Sequence, residues 1–441
     1  MIRMSRSPLA AVLLSLAGCV STPDPAFHEL ARFERQPPEL RTKLLLPFDA
    51  YVIGIEKDNR SRVGEIAECT PGTDGGACLG IDAPYFAARP TLRESLRAKY
   101  YQQHRPTFVS HIARFDGGNA PCFLVNRHDD ALPCLPGAAL LDGDTAVAQS
   151  FAALRRLGDD LDGRLAQRRA SHVVVYTMGW NTQQIEALDN FRRLAGQLTS
   201  AAREAGDKDF RPLVIGLTWP STGSPLVPGS DYGVKGKDAD EVGAIWENLL
   251  INRELRRLKA RHGFRLVVIG HSFGARLSSR AVFSAPLVGA PETPVVDLLV
   301  SLQGAYSFQR FLAAEDGDAP NGVEGAPYRD HARQAGLVAL TSSRWDSAVT
   351  RAGHARYFVG SADVYKLTRA DGFREQFVHA VVGADGRLPA APACDARRVL
   401  MIDASDVIIG SEPGTSGGAH SVIYTAQIGR LSHQLIRSCA P

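Results

Sequence analysis

The clearest pattern in the chain begins near residue 149, where helical and strand-like hydrophobic spacings alternate. Residues 149–169, 183–204 and 240–261 read as helices; in the third, Val242, Ile245, Leu249 and Leu250 recur at helical spacing. Short aliphatic runs at 173–177, 213–218 and 266–269 follow these helices, and further runs at 295–302, 337–340 and 399–402 continue the series. Strands about 35–50 residues apart, rich in Val, Ile and Leu and alternating with helices, predict an α/β domain with a mostly parallel sheet covered by helices on both faces. That domain is expected to span 149–441.

The pattern breaks up before residue 149. Brief apolar runs such as 51–55 are interrupted by Pro, Gly and Asp clusters at 70–76 and 116–119. Residues 46–148 therefore read as a loop-rich N-terminal extension with some strands, packed on the main domain. Residues 19–45 are polar and punctuated by Pro, and read as a tether. Neither Gly-rich run, 72–80 or 229–237, has the Gly-Lys-Ser/Thr ending of a phosphate loop.

The first residues are an address. Arg3 and Arg6 precede an apolar run from Leu9 to Ala17, which ends at Gly18-Cys19. A charged start, a short apolar stretch and small residues at the end describe an export signal, not an element of the fold. Leu16-Ala17-Gly18-Cys19 resembles the lipobox of bacterial lipoproteins. The resemblance implies a signal peptide over 1–18, diacylation of Cys19 and, with Val20 and not Asp next to it, the outer membrane over the inner. An ordinary signal peptide with a chance Cys is the competing reading. Six cysteines remain, and an even number in an exported chain points to disulfides. Sequence proximity suggests Cys69–Cys78 and Cys122–Cys134, leaving Cys394–Cys439; no grouping supports a zinc site instead.

Composition narrows the function. Apolar residues make up 44% and charged residues 22% of 441, which suits a sizeable globular core and excludes a disordered or collagen-like chain. A formal charge of +3, from 50 Lys+Arg against 47 Asp+Glu, gives no electrostatic footprint for nucleic acid. No run reaches the roughly 18 apolar residues of a membrane span.

The chemistry lies where the strand at 266–269 runs into Gly270-His271-Ser272-Phe273-Gly274 and then a helical stretch. Gly-x-Ser-x-Gly between strand and helix is the form of a nucleophile elbow, whose tight turn leaves no room for flanking side chains. Ser272 is thus the candidate nucleophile; the bland alternative is a tight turn with a capping serine. A serine hydroxyl needs a base oriented by an acid. Asp346, after the strand at 337–340, is the candidate acid, with Asp297, Asp363, Asp403 and Asp406 as competitors. His420, after a Gly-rich loop, is the candidate base, ahead of His354, His379 and His433. His271, inside the elbow, reads as structural. The oxyanion donors are expected to be the amides of Phe273 and, from the turn Met178-Gly179-Trp180-Asn181, Trp180.

Together these residues resemble the α/β-hydrolase superfamily, in particular its bacterial esterase/lipase-like branch. The resemblance is carried, in order, by Gly179-Trp180-Asn181, Trp219-Pro220-Ser221, the elbow, Ser343-Arg344-Trp345-Asp346 and Gly418-Ala419-His420-Ser421. It covers about 170–424 and implies the α/β-hydrolase fold and an acyl-enzyme mechanism without metal or organic cofactor. Met178 stands where that branch has His. The expected function is a membrane-anchored serine hydrolase of ester or lipid-like small molecules; a thioesterase or peptidase on the same residues is not separated by sequence. The rival is a non-catalytic envelope lipoprotein that uses the scaffold to bind a partner. Residues 221–235, rich in helix breakers, read equally as a flap or a fixed loop, and Trp180, Trp219, Phe273 and Trp345 suggest an apolar pocket mouth.

Overall fold

In a computed structural model, the residues described are 29–57, 67–68, 78–79, 107–128, 133–134, 146–168, 170–222, 232–291, 293–312, 334–349, 357–392, 394–411 and 418–440. The export signal, Cys19, Cys69 with its expected pairing to Cys78, His354 and most of the 221–235 loop lie outside them.

Ten strands form one sheet: β1 (Ala50–Lys57), β4 (Thr107–Phe115), β5 (Cys122–Asn126), β6 (His172–Thr177), β7 (Pro212–Thr218), β8 (Arg265–His271), β9 (Val296–Leu302), β10 (Ala335–Ser342), β11 (Phe377–Val381) and β12 (Val399–Asp403). Two short strands, β2 (Ala67–Glu68) and β3 (Cys78–Leu79), pair separately. The order is β11-β12-β10-β9-β8-β6-β7-β1-β4-β5, and every neighbouring pair is parallel except β1–β4 and β4–β5. The central strands are buried along nearly their whole length. That is why they read as unbroken Val/Ile/Leu runs and not as alternating ones.

The helices include α1 (Pro38–Lys43), α2 (Ala146–Arg168), α3 (Gln184–Glu204), α4 (Tyr232–Val242), α5 (Arg256–His262), α6 (Phe273–Val282), α7 (Ala362–Leu367) and α8 (Ala426–Cys439). α3 packs with α8, and α6 packs with α4 and the stretch that follows it. Between α4 and α5 the chain passes through two π-helical stretches, Gly243–Glu247 and Leu250–Leu255. A side chain at Gly243 would bring its Cβ within 2.3 Å of the Leu277 carbonyl, so glycine there lets this helix lie directly on α6.

The sheet takes in more of the chain than the hydrophobic pattern from 149 onward. β1, β4 and β5, from the segment read as an extension, are hydrogen-bonded into it, with β1 parallel to β7. Within the segment read as a tether, Leu30, Ala31, Phe33 and Leu44 are buried, and the Leu30 amide donates to Gln184 Oε1 at 2.9 Å. Two disulfides are formed, Cys122–Cys134 at the start of β5 and Cys394–Cys439 at the end of α8, both with the partners expected from the sequence. Among the described residues, no helix is long and apolar enough to cross a membrane.

Candidate active site

β8 ends at His271, and Ser272 turns the chain with φ 56° and ψ −122° into α6. The two elbow glycines are explained by contact. A Cβ on Gly270 would meet Ala275 Cα at 2.4 Å; one on Gly274 would meet the carbonyl oxygens of Thr177 and Met178 at 2.3 Å. No side chain fits at either place without moving backbone. The Ser272 backbone is pinned from the end of β9 and the turn after it, its amide donating to Leu302 O and its carbonyl accepting from Ala305 N, both at 3.1 Å.

Asp346 and His420 arrive on loops after β10 and β12. These loops are stitched together: Asp346 bridges Gly418, and the Ala419 amide donates to the Trp345 carbonyl at 3.1 Å. Gly418 takes φ 63°, and a Cβ on it would meet that same carbonyl at 2.7 Å. The three side chains meet in one line. His420 Nδ1 lies 2.7 Å from Asp346 Oδ2, and His420 Nε2 lies 2.8 Å from Ser272 Oγ. A carboxylate oxygen accepts only, so Nδ1 carries the proton and Nε2 presents its lone pair to the serine hydroxyl. Asp346 is 1% exposed and Ser272 7%. Asp346 Oδ1 accepts from the amides of Ala348 (3.0 Å) and Val349 (3.3 Å), which fixes the carboxylate against rotation.

His271 packs against His420, with ring centroids 4.9 Å apart, and its Nε2–H donates to the His420 carbonyl at 3.0 Å. Burial first, and the neighbouring His420 second, push its pKa down to about 3, so it is neutral near pH 7. The competing residues sit elsewhere. Asp297 accepts from Lys259 and the Leu266 amide at the start of β8, the far end of the strand from the elbow. Asp363 lies in the first turn of α7, Asp403 accepts from Ser405, and Asp406 is exposed beside Arg344. His379 pairs with Thr368 and His433 with Asp207.

The turn at 178–181 packs against Ser272: a Cβ on Gly179 would lie 3.1 Å from Ser272 Cβ. The Trp180 indole and the Phe273 phenyl ring are 6.1 Å from centroid to centroid. Trp219-Pro220-Ser221 is what holds this turn. Trp219 Nε1 donates to the Met178 carbonyl (2.9 Å), Asn181 N to Ser221 O (3.1 Å) and Ser221 Oγ to Thr182 O (2.8 Å). Met178 is fully buried, and the turn is secured through its carbonyl whatever its side chain lacks. Trp219→Phe, which strands that carbonyl, is expected to lower unfolding free energy by about 1–3 kcal/mol, read by urea denaturation.

Two buried polar residues at this end of the sheet left no trace in the sequence pattern. Gln303 touches Asp346, and Glu247 links β6 to α6. Among the described residues there is no group of three or more His, Cys, Asp or Glu placed to hold a metal.

Residues 155–285 match a protein family described as an alpha/beta hydrolase of unknown function (DUF900). The chain has the α/β-hydrolase fold. The family match spans the 178–181 turn, Trp219-Pro220-Ser221 and the elbow, and stops before Asp346 and His420. No curated protein matches the chain. Among solved structures, an acetyl xylan esterase is 10% identical over 61% of this chain and 98% of its own, with a TM-score of 0.29. A lipase-esterase related protein from Clostridium acetobutylicum ATCC 824 is 14% identical over 60% of this chain and 93% of its own, with a TM-score of 0.24.

Proposed function

We propose that the protein is a serine hydrolase of carboxylic esters, anchored to the cell envelope through a lipidated Cys19. Ser272 Oγ attacks the ester carbonyl while His420 Nε2 takes its proton; His420 then returns that proton to the leaving alcohol. Asp346 holds the Nδ1–H tautomer and stabilises the imidazolium. The Phe273 and Trp180 amides receive the oxyanion. Water, deprotonated by the same imidazole, releases the acid and restores the serine. The observation that carries this reading is the unbroken pair of hydrogen bonds, 2.7 and 2.8 Å, running from a buried carboxylate through one imidazole to a serine on a strained elbow.

A fluorophosphonate probe tests the chemistry directly. The purified full-length protein is expected to gain one adduct, mapped to Ser272 by mass spectrometry, and Ser272→Ala to gain none. A folded wild-type protein that stays unlabelled and hydrolyses no ester in a panel of graded acyl length overturns the reading in favour of a binding scaffold. Thioester and peptide arms of the panel separate the neighbouring activities. The anchor rests on residues 16–19 of the sequence. Metabolic labelling with a fatty-acid analogue is expected to mark the wild type and to be lost in Cys19→Ser.

A further inference from the structure

Gln303 directly follows β9 and takes a left-handed backbone, φ 48°, a conformation that favours Gly or Asn. Its side chain is fully buried. Oε1 accepts from Thr341 Oγ1 at 3.1 Å, while Nε2 donates to the Gly360 carbonyl at 3.3 Å and to Asp346 Oδ2 at 2.8 Å. Two acceptors at one end and a hydroxyl at the other leave a single orientation for the amide. The backbone is held as well: the Gln303 amide donates to Thr341 Oγ1 at 3.0 Å, and a Cβ on Gly360 would come within 2.8 Å of the Gln303 carbonyl carbon. Asn, the residue this backbone prefers, is one carbon shorter. The chain instead carries the longer amide at a strained position, and that amide ends on the Asp346 oxygen that His420 uses.

We infer that Gln303 is a positioning residue for the catalytic acid, its Nε2–H fixing Asp346 Oδ2 on His420 Nδ1; the inference rests on the serine-hydrolase reading of Ser272, His420 and Asp346. With Oδ1 tied to the Ala348 and Val349 amides, Gln303 supplies the hold on the other oxygen. Without it, the oxygen facing the imidazole loses a buried donor at 2.8 Å and leans more on the imidazole, which must move during the reaction.

The test is a double-mutant cycle read by ester kinetics. Gln303→Met, close in length and without donors, is expected to lower kcat about 10- to 100-fold, the worth of one hydrogen bond to a charged group, with KM within about twofold. In an Asp346→Asn background the same change is expected to cost nothing or to restore activity, since it acts through that carboxylate. Equal losses in both backgrounds overturn the inference. Should the methionine variant not fold, Gln303→Asn withdraws the amide on a backbone that Asn tolerates and is expected to give the same pattern.

A second readout does not need turnover. In protein labelled with ¹⁵N-histidine, the His420 Nδ1 proton is expected to shift by more than about 0.5 ppm in Gln303→Met, or to be lost to exchange, as its acceptor loosens. An unchanged resonance overturns the inference even if the wild type proves inactive. Wild-type inactivity with a shifted resonance instead overturns the hydrolase reading and leaves the Gln303 contact standing.

Discussion

His420→Ala is expected to lower kcat on a short-chain ester by about 10⁴- to 10⁶-fold, and adding Ser272→Ala to lower it no further. Residues that act as one unit fail together, because each is useful only while the others hold their places. Asp346→Asn, although nearly isosteric, is expected to lose about 10⁴-fold. Its fate is set by the surrounding donors. The Ala348 and Val349 amides need an acceptor, so the Asn oxygen takes the Oδ1 place and its NH₂ group takes the place of Oδ2. There it faces Gln303 Nε2, another donor, and forces His420 to accept at Nδ1 and to carry its proton on Nε2, the wrong face for a base. Steady-state kinetics on the single and double variants checks this, with thermal unfolding to confirm the fold. A His420→Ala enzyme keeping more than a tenth of wild-type kcat would remove the imidazole from the mechanism.

The parts of the molecule legible from sequence are those where one local constraint governs many residues. Buried parallel strands must be apolar on both faces, so β6, β7, β8, β9, β10 and β12 stand out as aliphatic runs, each located within a few residues of its place in the sheet. β11 has one fully buried residue in five and no such run. β1, β4 and β5 are equally part of the sheet, but the turn-rich sequence around them hid that relation. The π-helical stretches continue an apolar-rich run between α4 and α5 and so pass for ordinary helix. The residues that meet at the candidate site were legible for a similar reason. Gly270, Gly274 and Gly418 each sit where a Cβ would strike backbone, and those glycines mark the neighbouring Ser272 and His420 in the sequence. Gln303 draws its partners from positions 341, 346 and 360, which no local pattern brings together.

Glu247→Gln is expected to stabilise the protein at pH 8 and to leave it unchanged near pH 4.5. Glu247 is fully buried in the first π-helical stretch, where its Oε1 accepts from Thr177 Oγ1 (3.1 Å), at the end of β6, and from Ser278 Oγ (2.9 Å), on α6. Burial pushes its pKa from the ordinary 4.5 up to about 8, against the smaller opposing pull of the two hydroxyls. The folded state therefore holds a proton that the unfolded chain has lost, across the whole interval between those values. The sign follows: this group's contribution is fully present below pH 4.5 and falls away as the pH rises toward 8. At about 1.4 kcal/mol per unit, the loss is on the order of 3–5 kcal/mol, large against the margin of most domains. Glutamine keeps the acceptor for Thr177 and Ser278 and never ionises, so the variant escapes the loss. Urea unfolding of both proteins at pH 4.5, 6 and 8 is the measurement, and comparing the two cancels every other titrating group. Curves that stay parallel across that range would mean Glu247 is ionised in the fold. A gap that opens with pH would mean that the link between β6, which leads into the 178–181 turn, and α6, which begins at the elbow, is made by a neutral acid.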